Sequence, residues 1–341
     1  MKPKVTFITP SLGLGGAEKW ILTLAKAFKK LTPYKIINLS GKQDQIIFNE
    51  ALSITNVLSK NFYNSLDDLK NELTDSDVVI SWGYNAQLDL KQFDFPSIDV
   101  SHSDPSWENH YILIKQTEKK SKYHVGVSKT ATSSFENKNA VTIYNGINIK
   151  SLKTNIGRIN QRKEWDCENK KVVLFLGRLS NEKNPLLVLE TSKSFGNDWK
   201  FIFVESGPLL KIFNDIYQEN VKLVPKTKHV GDYYAAADVV VMPSKVEGMP
   251  LVLLESWYSQ VPIVTSEYST YKELKDLHGE LCWSIKENNS IELMKKIKIA
   301  YLSGRNNERV KKAKKIVEDN YTSEIMAENW ENYIFSLLNN E

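Results

Sequence analysis

The chain has 341 residues, which at about 150 residues per domain corresponds to two domains, each able to bury a full core. With 41% hydrophobic and 25% charged residues and a negative mean hydropathy, it is not a disordered tail, a fibre or a membrane bundle. A surplus of 45 basic over 41 acidic residues gives a net charge of +4, too small to point to nucleic acid but compatible with an anionic substrate or membrane surface. The longest apolar runs, such as Val239-Val240-Val241-Met242, are strand-sized and fall short of the roughly 18 residues of a membrane span. Met1-Lys2-Pro3-Lys4 leads into a strand instead of a signal segment, so a cytoplasmic location is expected. Cys167, Cys282 and five scattered histidines supply neither a disulfide framework nor a zinc site, and both thiols are expected to be reduced.

Short β-rich runs alternate with amphipathic helical stretches through both halves, the pattern of an α/β protein with parallel sheets covered on both faces. Residues 5–9 read as the first strand, and after a glycine turn Trp20, Leu24, Phe28 and Leu31 recur on one helical face. Residues 77–81, 97–101, 123–127 and 140–144 read as further strands of that sheet. Between 150 and 170 the periodicity fails and Lys153, Arg158, Arg162 and Lys163 make the segment polar and basic, which marks an interdomain linker. A second series has strands at 171–176, 199–204, 221–224, 238–242 and 263–265. Helices at 290–302, 306–319 and 323–338 close the chain, the last with Met326, Trp330, Ile334 and Leu337 on one face. The expected domains are 1–152 and 153–320, followed by a final segment, 321–341.

Open parallel sheets bind ligands at the carboxyl ends of their strands, so the loops there carry the candidates. After the first strand, Gly13, Gly15 and Gly16 let the backbone approach a ligand at a helix start, although their spacing is not a dinucleotide fingerprint and a ligand-free turn reads equally well. Arg178 and Lys183 follow the strand at 171–176 and precede Pro185; a planar fork, a point charge and a helix N-terminus suit a diphosphate, with solvated side chains as the competing reading. In the loop after 238–242, Glu247 and Glu255 bracket Gly248, Met249, Pro250 and Leu251, an anion-binding turn in which Pro250 suits the first helical position. A buried carboxylate beside such a turn can accept two ribose hydroxyls, and one on the loop can hold a sugar hydroxyl. His102 ends the strand at 97–101, where it can bond a substrate hydroxyl or serve structure alone. Trp82, Tyr84, Asp104 and Trp107 follow two strands of the first half and suit a carbohydrate acceptor, with ordinary packing as the alternative. Ile112, Leu113 and Ile114 beside Lys115, Lys119, Lys120 and Lys122 could meet an anionic membrane or form a solvated helix face. Asp75-Ser76-Asp77 precedes a strand instead of ending one and reads as a turn, not a metal clamp.

Gly15-Gly16-Ala17-Glu18, Asn145-Gly146-Ile147, Gly177-Arg178-Leu179 with Lys183-Asn184, and Glu247-Gly248-Met249-Pro250-Leu251 through Glu255, in this order and spacing, resemble the retaining glycosyltransferases of family four over nearly the whole chain. The resemblance implies a GT-B fold, two Rossmann-like domains with parallel sheets facing across a deep cleft, a nucleotide sugar held mainly by the C-terminal domain, and a last helix that crosses back to the N-terminal one. It implies transfer without a metal or other cofactor. It also implies that Arg178 and Lys183 bind the diphosphate, Glu255 the ribose, Glu247 and the backbone of 248–251 the transferred sugar, His102 its hydroxyl edge, and that Gly15, Gly16 and Gly207 line the donor.

Three departures stand out. Val204-Glu205-Ser206 replaces the glycine usual before Gly207-Pro208, Leu223-Val224-Pro225-Lys226 stands where a glycine usually meets the base, and the first half is short. The expected function is a metal-independent hexosyl- or N-acetylhexosaminyltransferase acting from a nucleotide diphosphate sugar, uridine favoured over guanosine, onto a glycan or glycolipid of a surface polysaccharide. A peripheral position at the inner membrane face and no nucleic-acid partner complete the expectation. A catalytically silent sugar-nucleotide-binding paralogue and a nucleotide-sugar epimerase on the same fold are the alternatives, and the second lacks the acidic and histidine cluster it would need around a sugar ring.

Overall fold

A computed structural model describes residues 1–13, 15–82, 88–204, 207–214, 218–225, 227, 229–286 and 289–339, the side chains of 108–110 and 214 excepted. Met1–Gly146 together with Tyr321–Glu341 makes one compact unit and Ile147–Asn320 the other.

In the first unit β1 (Lys4–Thr9), β2 (Thr32–Asn38), β3 (Asn56–Ser59), β4 (Val78–Trp82), β5 (Ser97–Ser101), β6 (Tyr123–Gly126) and β7 (Val141–Thr142) form a parallel sheet in the order β3-β2-β1-β4-β5-β6-β7. In the second, β8 (Lys171–Leu176), β9 (Trp199–Val204), β10 (Val221–Val224), β11 (Val239–Met242), β12 (Ile263–Ser266) and β13 (Trp283–Ile285) repeat the scheme as β10-β9-β8-β11-β12-β13, again parallel. Each chain starts at the middle of its sheet, builds to one edge, then returns to build the other. Right-handed crossovers put the helices of the two halves on opposite faces, so the loops after the first and fourth strands part from each other. Strands β2, β3 and β13 are additions to those expected from the sequence. The first is interrupted by Pro33 and Lys35, and the other two have only four and three residues, too short for a period-2 signal.

Residues 150–170 are not a loose linker. Helix Gly157–Glu164 and the buried Trp165 belong to the second unit, and the division falls after Gly146 instead of 152. The basic residues that suggested a linker serve a helix end. Arg158 Nη1 donates to the carbonyls of Ala235, Ala236 and Ala237 at 2.8, 3.2 and 3.0 Å, and Arg162 Nε to that of Ala236 at 2.9 Å. Both guanidiniums also pair with Asp238. These cations meet the negative end of helix Val230–Ala236 and satisfy its last carbonyls.

In the first unit the last helix, Ser323–Leu338, buries Met326, Trp330, Ile334 and Leu337 as its spacing predicts. Trp330 packs on Trp20 of helix Gly16–Ala27 with ring centroids 5.7 Å apart. Glu331 Oε1 accepts the backbone N–H groups of Lys29, Lys30 and Leu31, at 2.6 Å from the first and 3.2 Å from the last. A Cβ on Gly146 would stand 2.1 Å from the carbonyl oxygen of Thr322, the residue that caps this helix, so only glycine permits the approach.

Asp99, on β5, is buried, with the Thr117 hydroxyl donating to its Oδ2. Burial pushes its carboxyl up to about 7, against the lowering effect of Thr117 and the Val100 N–H and with a further push from Glu118. A folded-state pKa above the unfolded one gives stability that is full below the unfolded pKa of about 4 and is lost as pH rises through the folded value. His124, the cross-strand neighbour on β6, is lowered by burial, but that contribution is common to parent and variant. The melting temperature of Asp99→Asn, which cannot ionise, is therefore expected to gain on the parent between pH 5 and pH 8. A difference that does not change with pH would contradict this.

Candidate active site

The switch point of the second sheet lies between β8 and β11, and the loops 177–184 and 243–250 leave it there. Asn184 adopts the left-handed conformation, with φ of 55°, which an asparagine tolerates. Pro185 then opens helix Pro185–Ser192, and no side chain caps that helix start. Helix Leu251–Tyr258 likewise begins without a side-chain cap. Pro250 is its N-cap and not its first helical residue as expected, because the proline holds φ −75° and ψ 121°. Both helix starts thus offer backbone N–H groups at the same strand ends.

The loops are tied together. Lys183 Nζ donates to Glu247 Oε1 at 2.6 Å, Ser244 Oγ to the same oxygen at 2.7 Å, and the Lys245 N–H to the Glu182 carbonyl at 2.8 Å. Glu247 is 9% exposed and the Lys183 side chain 30%, so the pair is partly desolvated yet open on the lysine side. Thr270 Oγ1, from the first turn of helix Ser269–His278, lies 2.7 Å from the Glu247 carbonyl and 2.9 Å from that of Gly248, which fixes the turn from below. Glu255 is buried within helix Leu251–Tyr258, and Tyr234 donates to its Oε2 at 2.8 Å. Arg178 is exposed on the first loop.

Gly207 also has a packing role. A Cβ there would lie 2.5 Å from the Leu179 carbonyl oxygen and 2.7 Å from its nitrogen, so the glycine lets the loop after β9 rest on the loop carrying Arg178. Met249 is buried, whereas Leu251 is half-buried at the turn's end. Ser244, Thr270 and Tyr234 were not singled out from the sequence. Lone hydroxyls carry no spacing signal.

The first unit has its own switch point, between β1 and β4. Gly15 caps helix Gly16–Ala27, and a Cβ on it would stand 2.1 Å from Glu18 Oε2. The missing side chain therefore makes room for a buried glutamate at the helix start, a carboxylate where an anion was expected. Gly16 borders open space. Trp82 Nε1 donates to Thr9 Oγ1 at 3.0 Å, and its ring meets His102 edge-on at 5.6 Å while Trp20 meets it at 4.7 Å. His102 is thus gripped between two indoles, and Trp82 orients it. Asp104 is buried under its own turn: Oδ1 accepts the Ser106 N–H at 2.8 Å, and the Asp104 carbonyl accepts the Trp107 N–H at 3.0 Å. Trp107, half-buried, caps helix Glu108–Thr117. Tyr84, Glu205 and Lys226 lie outside the described residues. Asp77 accepts the Lys4 N–H at 2.7 Å at the opposite, amino edge of the sheet.

Of the patch expected at a membrane, Ile114 is buried, Lys115 pairs with Glu118 and Glu136, and Lys122 donates to the Asp94 carbonyl. Ile112 and Lys119 stay exposed. No helix among the described residues is long and apolar enough to cross a membrane. Both cysteines are free and buried, and burial pushes the Cys282 thiol up to about 12.

Two parallel sheets of the same reversed order, seven and six strands wide, define the GT-B fold. The crystal structure of Anabaena Alr3699/HepE in complex with UDP-glucose has that fold, with a TM-score of 0.84 and 18% identity over 98% of this chain and 100% of that one. Residues 157–317 match the family model of glycosyl transferases group 1. It is similar to the GalNAc-alpha-(1->4)-GalNAc-alpha-(1->3)-diNAcBac-PP-undecaprenol alpha-1,4-N-acetyl-D-galactosaminyltransferase of Campylobacter jejuni, at 26% identity over 80% of this chain and 81% of that protein. It is also similar to the capsular polysaccharide biosynthesis glycosyltransferase CapH of Staphylococcus aureus, at 22% identity over 80% and 83%.

Thr270→Val removes the one hydroxyl that meets both loop carbonyls at nearly constant volume. We expect it to cost about 1–2 kcal/mol of stability and to weaken UDP binding more than that loss of folding explains. Calorimetric UDP affinity equal to the parent's would show that the turn does not need Thr270.

Proposed function

We propose that the protein is a retaining, metal-independent glycosyltransferase that moves a hexose or N-acetylhexosamine from a nucleotide diphosphate sugar, a UDP-sugar in particular, to a glycan or glycolipid acceptor of a surface polysaccharide. The observation that carries this reading is the Lys183–Glu247 pair spanning the switch point between two uncapped helix starts. Relatives support it: the Campylobacter protein is named for adding a sugar to an undecaprenol-linked glycan, CapH for capsule synthesis, and the Anabaena structure for its UDP-glucose.

Breaking the bond from the anomeric carbon to phosphate leaves negative charge on the diphosphate. Lys183, Arg178 and the N–H groups of 248–251 stabilise that charge, which supplies what a divalent cation would otherwise provide. Lys183 is paired with Glu247. A diphosphate attracts the lysine away, and the released carboxylate then accepts a hydroxyl of the transferred sugar. Glu255 accepts the ribose hydroxyls. Retention follows the front-face course in which the departing phosphate takes the acceptor's proton. Within the first unit, Trp82 holds the ring of His102, the residue proposed to bond a substrate hydroxyl, and Asp104 and Trp107 are the described candidates for acceptor binding. A lipid-linked acceptor places the protein at the inner face of the cytoplasmic membrane, with Ile112 and Lys119 as its exposed contact.

Incubation of the purified protein with UDP-sugars and cell-envelope glycolipid tests the reading. Transfer is expected to persist in excess EDTA, and Arg178→Ala to weaken UDP binding at least about tenfold, the worth of one charge-assisted bond. Activity abolished by EDTA and restored by magnesium or manganese would contradict metal independence. UDP binding without turnover of any donor would favour the silent paralogue.

A further inference from the structure

The Tyr234 hydroxyl and the Glu255 carboxylate form a buried pair that the reaction chemistry does not itself require. Tyr234 has no exposed surface and Glu255 is 3% exposed. Their bond of 2.8 Å is made by Oε2. Burial, and then the neighbouring carboxylate, push the phenol far above its ordinary range, so it stays protonated and can only donate toward the acid. A carboxylate offers acceptor sites on both oxygens, and the phenol fixes the direction of one of them, on Oε2. A ribose diol needs one on each oxygen in a fixed plane.

The helix bearing Tyr234 is held at both ends, so the phenol cannot follow a moving carboxylate. At its start, Asp232 Oδ1 accepts the N–H groups of Asn155, Ile156 and Gly157 at 2.8, 2.9 and 2.9 Å. At its end, Arg305 donates to the carbonyls of Tyr234, Ala235 and Ala237 and ties them to the Ser259 carbonyl, just past the helix that carries Glu255. The same guanidinium therefore grips both partner helices by their carboxyl ends.

We infer that Tyr234 is a positioning residue for donor recognition: its hydroxyl locks the Glu255 carboxylate in the plane that accepts both ribose hydroxyls, so that the site selects ribonucleoside over deoxyribonucleoside diphosphates. This rests on the proposed role of Glu255 as the ribose partner.

The test measures calorimetric affinities for UDP and 2′-deoxy-UDP, with GDP and 2′-deoxy-GDP alongside, for the parent, Tyr234→Phe and Glu255→Gln. The ratio of the two affinities within one sample is the readout, because a partly unfolded fraction lowers both equally. The parent is expected to prefer the ribonucleotide at least about tenfold, the worth of a hydrogen bond to a charged group. Tyr234→Phe should lose most of that preference, chiefly by weakening the ribonucleotide. A parent-like ratio in Tyr234→Phe alongside a collapsed ratio in Glu255→Gln would overturn the role of Tyr234 while leaving the ribose reading intact. A parent-like ratio in both variants, or no nucleotide binding at all, would overturn the reading of Glu255 and this inference with it.

Discussion

Two neighbouring parallel strands, β8 and β11, release their chains toward opposite faces of one sheet, and the lysine–glutamate pair closes the gap that this creates. Everything else at the site follows from that divergence. Neither helix start has a side-chain cap, and because Lys183 reaches across to Glu247 the parted loops have a defined spacing. A partly desolvated ion pair is a poor source of net stability, since the loss of hydration offsets much of the attraction. Its value here lies in placement. The pair sets the cation and the carboxylate beside each other at the strand ends, where the proposed function needs both.

Away from the ligand, the two units solve a similar anchoring problem with similar chemistry. Asp232 in one and Glu331 in the other each gather three successive backbone N–H groups on one carboxylate oxygen. Charge-assisted bonds of this kind are about twice as strong as neutral ones. In the second unit the anchor steadies the helix behind Glu255. In the first it fixes the last helix, from which Trp330, Trp20, His102 and Trp82 run as a continuous series of ring contacts to the carboxyl edge of the sheet. The orientation of His102 therefore depends on residues from the far end of the chain.

The sequence made most strands visible because parallel strands buried on both faces are continuous apolar runs, as in β8, β9 and β11. Strands β3 and β13 escaped because edge position and brevity remove that signal, and β2 because Pro33 and Lys35 interrupt its apolar run. Arg158 and Arg162 misled in the other direction. Basic residues in an aperiodic stretch looked like solvated linker, because the carbonyls of 235–237 that they meet lie more than 70 positions away and carry no side-chain signature. At the site, Lys183, Glu247 and Glu255 were legible from motif spacing. Ser244, Thr270 and Tyr234 were not, because a single hydroxyl acquires meaning only from what the fold sets beside it. Gly207 and Gly15 were read as ligand contacts; the structure adds a close backbone approach to Leu179 at the first and room for the Glu18 carboxylate at the second.

The claim that these two loops form the nucleotide site is tested most directly by hydrogen–deuterium exchange of the whole protein with and without saturating UDP. Slowed exchange at 177–184 and 247–256, the two loops and the helix start between the glutamates, is the result the account expects. Protection confined to residues 1–146, or none at either loop despite measured binding, would contradict it.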